Sequence, residues 1–368
     1  MPVINKIIIR DFRNIALQEL EFSPKINCIC GGNGEGKTNL LDAIWYLSMT
    51  KSAFAGAEHW CFRHGAESFE IGARCTMENG LESRFAIKAT RGGEKTVRRD
   101  DKAYSRISLH IGTLPVVMVS PADISLVSES GDERRRFANS VLSQTDHSYL
   151  EAMQQYNRLL LQRNRLLKDE AQPDEDLLAV FDAKLGALAG PIYEKRREFC
   201  SKLVPLAAEY YGQISGGREK VNAEYRSDLS KAPLEELLRN SREKDRFFKY
   251  TSVGIQRDDF LFTMDGYPIR RCGSQGQQKS FLVALKFAQR QIMNEDGGIP
   301  PALLLDDLFD KLDTGRVSNL LSMVSSEGFG QIFITDTGKE RLGGIVDGID
   351  ADSAFFKAEG GAFSRYDG

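Results

Sequence analysis

A glycine-rich segment at residues 31–38 has the composition and spacing of a phosphate-binding loop. It reads GGNGEGKT, matches the pattern G-x-x-x-x-G-K-[ST], and lies between a short apolar run and a helical pattern. Glycines allow backbone N–H groups to close around a phosphate, and the start of a helix adds partial positive charge. Lys37 would contact the β- and γ-phosphates, and Thr38 would give its hydroxyl to Mg²⁺. The segment therefore predicts ATP and Mg²⁺ as cofactors, with nucleotide contacts from Gly31, Gly32, Asn33, Gly34, Glu35, Gly36, Lys37 and Thr38.

Two adjacent carboxylates, Asp306 and Asp307, end a second apolar run that begins at Pro301. In P-loop ATPases an acid at the end of such a strand holds Mg²⁺. Asp306 is therefore the expected metal residue. Asp307 is expected to orient or deprotonate the attacking water, which makes Asp307 and Lys37 the predicted catalytic residues. An aspartate that caps a helix is the alternative explanation, and the phosphate loop in the same chain favours the metal site.

A third candidate segment, Gly273 to Ser280, places small and amide side chains before a helical run. A serine beside the N–H groups of a helix N-terminus makes a second phosphate-binding surface. An ordinary capped turn has the same composition, so the segment is a weak signal by itself. Its place upstream of Asp306 favours the assignment of Ser274, Gly276 and Gln277 to nucleotide binding.

The elements that must position these residues fall into two groups along the chain. Residues 1–127 and 251–368 alternate between strand and helix patterns and include the strand Ile26 to Cys30 before the phosphate loop. Between them, residues 128–250 are mainly helical, with apolar residues at spacings of three and four on both sides of a charged break. One position of this repeat is occupied by Arg163 in place of an apolar residue. We therefore expect an α/β fold in which the two outer parts form one domain and the middle part forms a helical hairpin.

Composition and charge exclude several classes of protein. The chain has 49 basic and 52 acidic side chains, a formal net charge of −3 and 41% hydrophobic residues, which excludes a disordered chain and a generally basic nucleic-acid wrapper. No apolar run approaches the roughly 20 residues of a membrane span, and Met1 to Arg13 lacks the apolar core of a signal peptide. Four histidines and six scattered cysteines disfavour a zinc site or a disulfide scaffold. We expect a cytoplasmic protein with no membrane contact.

The order of the motifs resembles the ABC-type ATPases of DNA maintenance, which include the SMC family. A phosphate loop, a long gap, S-x-G-Q, two carboxylates, Asp310 to Asp313 and a strand ending in Thr335 follow one another. SMC proteins carry a far longer coiled coil in that gap, and the short helical insert here resembles the RecF family. Further RecF-like runs are Ile8 to Asn14, Ser128 to Phe137, Arg163 to Lys168 and Gly254 to Asp259. Departures from the family pattern are Ile255-Gln256, Lys279, Asp310 and a Ser120 near the expected Q-loop glutamine.

The resemblance to the RecF family implies a site, a cycle and partners. The fold would be an ABC-type P-loop ATPase head, with mixed sheets flanked by helices, interrupted by a helical arm domain. Two copies would form a homodimer around two ATP molecules, each phosphate loop facing the Ser274 segment of the partner subunit, and slow hydrolysis would open the dimer. The protein would bind DNA in recombinational repair, replication and the SOS response to DNA damage. RecR- and RecO-like proteins would help it load RecA at single-strand gaps. Further implied nucleotide contacts are Arg13, Asn14, Asn39 and Thr335.

Basic side chains in the helical region are candidates for DNA contact. They are Arg134, Arg135, Arg136, Arg163, Arg165 and Lys168. We expect backbone contacts with duplex DNA or with a junction of single and double strands. Tyr149 and Tyr156 fit the helical seam, so no aromatic platform for single strands is evident. A solvated charged face is the alternative explanation for the basic residues.

Two other functions remain open from the sequence. One is a different ABC- or SMC-type ATPase subunit, acting in defence or transport. A transport subunit would couple to membrane helices and a nuclease would need a further acidic metal cluster, and neither is evident. The other is a structural DNA-bridging protein with a degenerate ATP site, which the intact Lys37, Thr38, Asp306 and Asp307 disfavour.

Overall fold

The computed structural model describes residues 2–129, 131–168, 174–308, 316, 323, 330–338, 342–343 and 352–366. The chain divides into two compact units. The first unit comprises Met1–Ile124, Gln213–Ser215 and Lys286–Gly368, and the second comprises Ser125–Gly212 and Gly216–Leu285. The second unit thus begins near the predicted boundary at residue 128. It also includes residues 251–285, which the sequence analysis assigns to the ATPase domain.

Groups of strands and groups of helices follow one another along the described chain. The strands are β1 (Val3–Phe12), β2 (Ile15–Glu21), β3 (Ile26–Cys30), β4 (Ser68–Thr76), β5 (Glu82–Thr90), β6 (Lys95–Arg99), β7 (Lys102–Ala103), β8 (Val116–Val119), β9 (Val221–Arg226), β10 (Asp259–Met264), β11 (Tyr267–Pro268), β12 (Ala302–Asp306), β13 (Ile332–Asp336), β14 (Ser353–Glu359) and β15 (Ala362–Arg365). The helices are α1 (Lys37–Met49), α2 (Ser125–Ser128), α3 (Gly131–Thr145), α4 (His147–Lys168), α5 (Glu175–Ser215), α6 (Leu234–Asn240), α7 (Arg242–Phe248), α8 (Ile269–Cys272) and α9 (Gln275–Gly297).

A mostly parallel sheet in the first unit positions the candidate site. Its strand order is β15-β14-β3-β13-β12-β8, and only the edge strand β15 runs antiparallel to its neighbour. Every residue of β3, β12 and β13 is buried, as expected for strands covered on both faces. The carboxyl ends of neighbouring parallel strands meet at one edge of the sheet, which is where such folds bind ligands. The phosphate loop follows β3, Asp306 ends β12, and Thr335 lies near the end of β13.

The other large sheet of the first unit is antiparallel, with the order β2-β1-β4-β5-β6-β7. Burial alternates along β4 and β5, so one face of each strand is covered. The covered side chains, which include Ile7 and Phe69, share one hydrophobic core with Ile44 of α1. The helix after the phosphate loop is therefore held in place by a large apolar core.

The second unit contains the helical hairpin that the apolar repeat predicts. The apolar repeat predicts arms of roughly 25 to 30 residues each. Helix α4 has 22 residues and α5 has 41, so the second arm is longer than this prediction. Helix α5 continues through Pro191 and Pro205. The amphipathic pattern from Leu234 to Phe248 predicts one further helix, which the structure divides at Ser241 into α6 and α7. A three-stranded sheet, β11-β10-β9, completes the unit.

Two sequence predictions fall on other parts of the chain. The motif Asp310 to Asp313 lies outside the described residues. The apolar pattern from Val317 to Val324 predicts a helix, and nearly all of it also lies outside the described residues. Within the described part, no helix combines the length and the apolar character that crossing a membrane requires.

Candidate nucleotide site

The backbone of the phosphate loop requires glycine at two positions. Gly34 and Gly36 have φ angles of 84° and 102°, a region that residues with a Cβ atom rarely adopt. Helix α1 then begins at Lys37 without a side-chain cap and without an acidic residue in its first turn. Its first N–H groups therefore have no side-chain acceptor at the N-cap, and they can bind an anion.

The ammonium group of Lys37 lies inside the loop. Its Nζ donates hydrogen bonds to the carbonyl oxygens of Gly31 at 2.6 Å and Gly32 at 2.8 Å. Only 8% of the Lys37 side-chain surface is exposed. The loop thus carries a fixed positive charge where the motif predicts phosphate, and this arrangement fits a polyphosphate ligand.

The C-terminal β14–β15 hairpin supports the phosphate loop. This contact is not among the sequence predictions. A Cβ atom on Gly31 would lie 2.5 Å from the carbonyl oxygen of Ala358, so glycine is needed for this close approach. Gly361 N donates to the carbonyl oxygen of Glu35 at 3.0 Å, and Gly360 N donates to the Glu35 carboxylate. Glu35, a predicted nucleotide contact, therefore also ties the loop to the hairpin.

Three further predicted contacts, Arg13, Asn14 and Asn39, lie beside helix α1. Arg13 Nε donates to the buried carboxylate of Asp42 at 2.8 Å, and its Nη2 donates to Ser52 at 2.9 Å. These bonds hold Nε and Nη2 of the Arg13 guanidinium against side chains of the protein itself. Asn39 Nδ2 donates to Asn14 Oδ1 at 2.8 Å, and the Asn14 side chain lies directly against Gly36. The two asparagines therefore border the loop where the sequence places them.

The carboxylates and hydroxyls at the strand ends form one connected cluster. Thr38 Oγ1 lies 2.9 and 3.0 Å from the two carboxylate oxygens of Asp306. Thr335 Oγ1 donates to Asp306 Oδ1 at 2.7 Å and accepts a hydrogen bond from Asp307 N at 3.0 Å. Thr335 is fully buried. We therefore expect it to act on the nucleotide indirectly, by positioning both aspartates, and not through the predicted direct contact.

Asp307 has an unusual backbone conformation. Its φ angle is 46°, in the left-handed region that costs energy for a residue other than glycine. The hydrogen bond from its N–H group to Thr335 stabilises this conformation. Backbone strain of this kind concentrates at functional sites. Asp307 is half-buried and follows Asp306, the candidate metal ligand, and this position suits a residue that orients water.

The electrostatics and the donor set of the cluster fit Mg²⁺. Burial raises the pKa of Asp306, and the nearby Asp307 carboxylate raises it further, whereas hydrogen bonds from Thr335 and Thr38 and the charge of Lys37 lower it. A cation would relieve the cost of the buried negative charge. Carboxylate and hydroxyl oxygens together with phosphate oxygens and water are the usual ligands of Mg²⁺. Asp306 and Thr38 would hold the ion.

Replacing Asp306 by asparagine is expected to stabilise the nucleotide-free protein while impairing Mg²⁺-dependent hydrolysis. Since the pKa of Asp306 is raised in the folded state, the ionised carboxylate costs folding free energy at neutral pH. A neutral side chain of the same shape removes that cost. The melting temperature of Asp306→Asn should exceed that of the parent at neutral pH. The difference between the two melting temperatures should become smaller as the pH falls through the raised pKa of Asp306. A lower melting temperature for the variant at neutral pH would contradict the assignment of a desolvated charge.

The Ser274 segment lies in the second unit and forms a capping box on α9. Ser274 N donates to Gln277 Oε1 at 2.8 Å, and Gln277 N donates to Ser274 Oγ at 3.3 Å. Gln277 Nε2 also donates to Glu219 at 2.8 Å. Ser274 is exposed and Gly276 is half-buried. The segment thus presents a helix N-terminus at the surface of its unit.

The structure gives the first group of predicted DNA contacts mainly structural roles. Arg134 is 4% exposed and forms two hydrogen bonds with Asp259, at 2.7 and 3.1 Å. Arg135 donates to the carbonyl oxygen of Asp258 at 2.6 Å. Arg136 remains exposed and pairs with Glu133 on its own helix. Arg134 is therefore corrected to a residue that joins α3 to β10, because its guanidinium faces a carboxylate inside the unit.

The second group divides in a similar way. Arg163 is fully buried and pairs with Asp182 and Asp245, each at 2.8 Å. Its predicted DNA contact is wrong, because no DNA phosphate can reach a guanidinium enclosed by two carboxylates. Arg165 and Lys168 lie on the exposed side of α4. Arg196 on α5, which the sequence analysis did not include in the site, is also buried and pairs with Asp258 at 2.6 Å.

Comparison with known proteins identifies the family. The model of the RecF/RecN/SMC N terminal domain matches residues 3–345. A DNA replication and repair protein RecF from Parabacteroides distasonis is 44% identical over 359 residues, which cover 98% of this chain and 98% of the relative. The chain belongs to the RecF family. A RecF from Bacteroides fragilis strain NCTC 9343 is 41% identical over 363 residues, covering 99% of this chain and 98% of that RecF.

Solved structures agree with this assignment. The structure of the recombination mediator protein RecF with ATP in the RecFOR pathway superposes with a TM-score of 0.90 at 30% identity, covering 100% of this chain and 98% of that chain. The Smc head domain from Pyrococcus furiosus has a TM-score of 0.60 at 16% identity, a likeness of fold alone. The expected fold, an ABC-type ATPase head with a long helical insert, is confirmed.

Proposed function

We propose that this protein is an ATP-dependent DNA-binding ATPase that mediates recombinational repair and maintains replication forks. The observation that carries the proposal is the cluster of Thr38, Asp306, Thr335 and Asp307 beside the phosphate loop, in a chain of the RecF family. Each part of the cluster suits one task in ATP hydrolysis. A bridging protein with a degenerate ATP site would not need a strained aspartate at this position.

The residues of the site divide the work of hydrolysis. The loop N–H groups and Lys37 bind and orient the phosphates. Thr38 and Asp306 hold Mg²⁺, which supplies charge neutralisation when bound. Thr335 fixes both aspartates through its hydroxyl, and Asp307 accepts a proton from the attacking water or orients that water. We expect slow turnover, because hydrolysis serves to open an assembly.

The assembly in this proposal is a homodimer that forms on ATP. The phosphate loop of each copy would face the Ser274 segment of the partner subunit, across the bound nucleotide. Support comes from the exposed Ser274 and from the N-terminus of α9, which could both contact a γ-phosphate. RecR- and RecO-like proteins would then help the dimer place RecA at single-strand gaps in the cytoplasm.

The DNA-binding part of the proposal is tested by salt dependence. Each phosphate contact contributes roughly 0.9 to the slope of log affinity against log salt for duplex DNA. Replacing Arg165 and Lys168 by alanine should flatten that slope by about two if both residues contact phosphates in one bound copy. Fluorescence anisotropy with duplex DNA and a non-hydrolysable ATP analogue measures it across a salt series.

The control for this experiment replaces Arg226 and Lys231, two exposed cations of the same unit, by alanine. This double variant should keep the parental slope. An unchanged slope in the Arg165 and Lys168 variant would show that these residues only solvate α4. The DNA contact would then have to be sought elsewhere, beginning with the exposed Arg136.

A further inference from the structure

Three aromatic side chains at the end of helix α7 are exposed to an unusual extent. Phe247 is 81% exposed, Phe248 is 46% exposed and Tyr250 is 38% exposed. Phe247 leaves most of its apolar surface in water, and Phe248 and Tyr250 leave more than a third of theirs, which forgoes part of the stabilisation that burial would give. We call Phe247, Phe248 and Tyr250 the aromatic platform. Exposed apolar groups of this size in a cluster mark interaction sites.

The rings of the platform are arranged against one another. Phe248 and Tyr250 are stacked, with centroids 5.7 Å apart and an interplanar angle of 29°. Phe247 meets Phe248 edge-on, with centroids 5.1 Å apart. Lys249, between the stacked residues, has a φ angle of 58° and ends the helix in a left-handed conformation. The turn therefore holds two rings nearly parallel on the surface.

The segment around the platform carries more exposed positive than negative charge. The Arg257 guanidinium lies over the Tyr250 ring, 5.0 Å from its centroid, in a cation–π contact. Lys244 and Lys249 are exposed on the same short segment as the rings, and so is the opposite charge of Glu243. Arg246 pairs with Glu175, and the nearby Asp245 is buried and occupied by Arg163. The residues left accessible around the rings thus favour an anionic ligand.

The segment that carries the platform is tied to helix α4, which also carries exposed cations. Thr251 donates from its N–H group and from its hydroxyl to Asn164 Oδ1, at 2.8 and 2.7 Å. Tyr250 precedes Thr251, the residue that contacts α4. On α4, Arg165 and Lys168 lie within about one turn of Asn164. The ion pair of Arg163 with Asp245 connects α4 to α7 as well. Contacts within one unit thus join the segment of the aromatic platform to the helix that carries Arg165 and Lys168.

We propose that the aromatic platform binds single-stranded DNA by stacking unpaired bases on its rings, with the neighbouring cations on the phosphates. Stacked rings flanked by cations are the usual means of binding a single strand without sequence preference, because every base has a flat π-face. A duplex hides those faces and would gain little from the rings. The inference rests on the proposed function in one respect, namely that this protein works on DNA. It extends that function by giving the second unit a site for the single-stranded side of a junction.

The test compares single-stranded and duplex DNA on the full chain with a non-hydrolysable ATP analogue. Phe247→Leu/Phe248→Leu keeps apolar side chains but removes the aromatic faces, so it separates base stacking from docking of an apolar protein surface. Stacking is worth about 1 to 3 kcal/mol per base, so affinity for a labelled oligo-dT should fall about tenfold or more. Affinity for duplex should stay within about twofold. Fluorescence of 2-aminopurine in the oligonucleotide should be quenched by the parent and less by the variant.

The matched control is Tyr267→Ala, which removes an aromatic side chain that is 69% exposed elsewhere in the same unit. It should leave single-strand affinity unchanged. If the Phe247→Leu/Phe248→Leu variant bound oligo-dT as tightly as the parent does, the inference would be overturned. This would hold even if the variant no longer bound a protein partner. If the parent bound duplex but no single strand, the inference would fail and the proposed function would stand. If it bound neither form of DNA with the ATP analogue, both would fail.

Discussion

Asp307→Asn is expected to reduce ATP hydrolysis by about 10²- to 10⁴-fold, the usual contribution of a general base, while ATP remains bound. The asparagine keeps the shape of the side chain and loses the ability to take a proton. Asp306 and Thr38 remain to hold Mg²⁺, and Lys37 still contacts the phosphates. Phosphate release measured at saturating ATP gives the rate, and equilibrium binding of a fluorescent ATP analogue gives the affinity.

A second variant separates chemistry from binding. Lys37→Ala removes the ammonium group that the loop encloses, so it should lose ATP affinity as well as hydrolysis. Asp307→Asn should lose only hydrolysis, and should therefore retain the ATP-bound form. Parental hydrolysis by Asp307→Asn would show that another group activates the water.

The largest effect on stability is expected from Arg163→Ala, which should destabilise the protein by about 3 to 5 kcal/mol. The substitution removes the Arg163 partner of the buried Asp245 carboxylate and leaves Asp182 with its longer pair to Arg242 at 3.2 Å, and both carboxylates are almost completely inaccessible to solvent. Unpaired buried charges of this kind are costly. Denaturant unfolding followed by circular dichroism, which reports on the helices, measures the change.

Arg165→Ala is the matched control, because it removes the same side chain two residues along the same helix from an exposed position. Exposed substitutions of this kind usually change stability by less than about 0.5 kcal/mol. Equal losses in the two variants would mean that the helix, and not the buried ion pairs, responds to the substitution. A small loss in Arg163→Ala would contradict the structural role given to this residue.

The local structure of the candidate nucleotide site was predictable from sequence because its information is local. The phosphate loop, the strand before it and the helix after it are adjacent in the chain, and strand β3 was predicted with the bounds that the structure has. Asp306 and Asp307 follow a short buried strand that is also evident from sequence. The position of Thr335 between the aspartates depends on strand order, with β13 between β3 and β12, and strand order is set by tertiary pairing.

Arg163 shows why the DNA contacts were harder to predict. Its position continues the apolar repeat of α4 and so belongs to the core, whereas its residue type indicates the surface. The carboxylates that resolve this conflict, Asp182 and Asp245, lie far along the chain. Residues 251–285, predicted as part of the ATPase head, group with the second unit because β10 pairs with β9 there, and this pairing is also a long-range contact. The β14–β15 hairpin did leave a local signal, an alternating run followed by Gly360-Gly361.

Light scattering after size exclusion tests the central claim, a composite ATP site made by two copies, most directly. The protein should elute with the mass of one chain without nucleotide and with ADP, and with twice that mass with a non-hydrolysable ATP analogue. Ser274→Arg should still bind the analogue, because the loop of its own chain is intact, yet should keep the mass of one chain. A parental protein whose mass does not respond to the analogue, or a Ser274→Arg variant that dimerises as the parent does, would contradict the account.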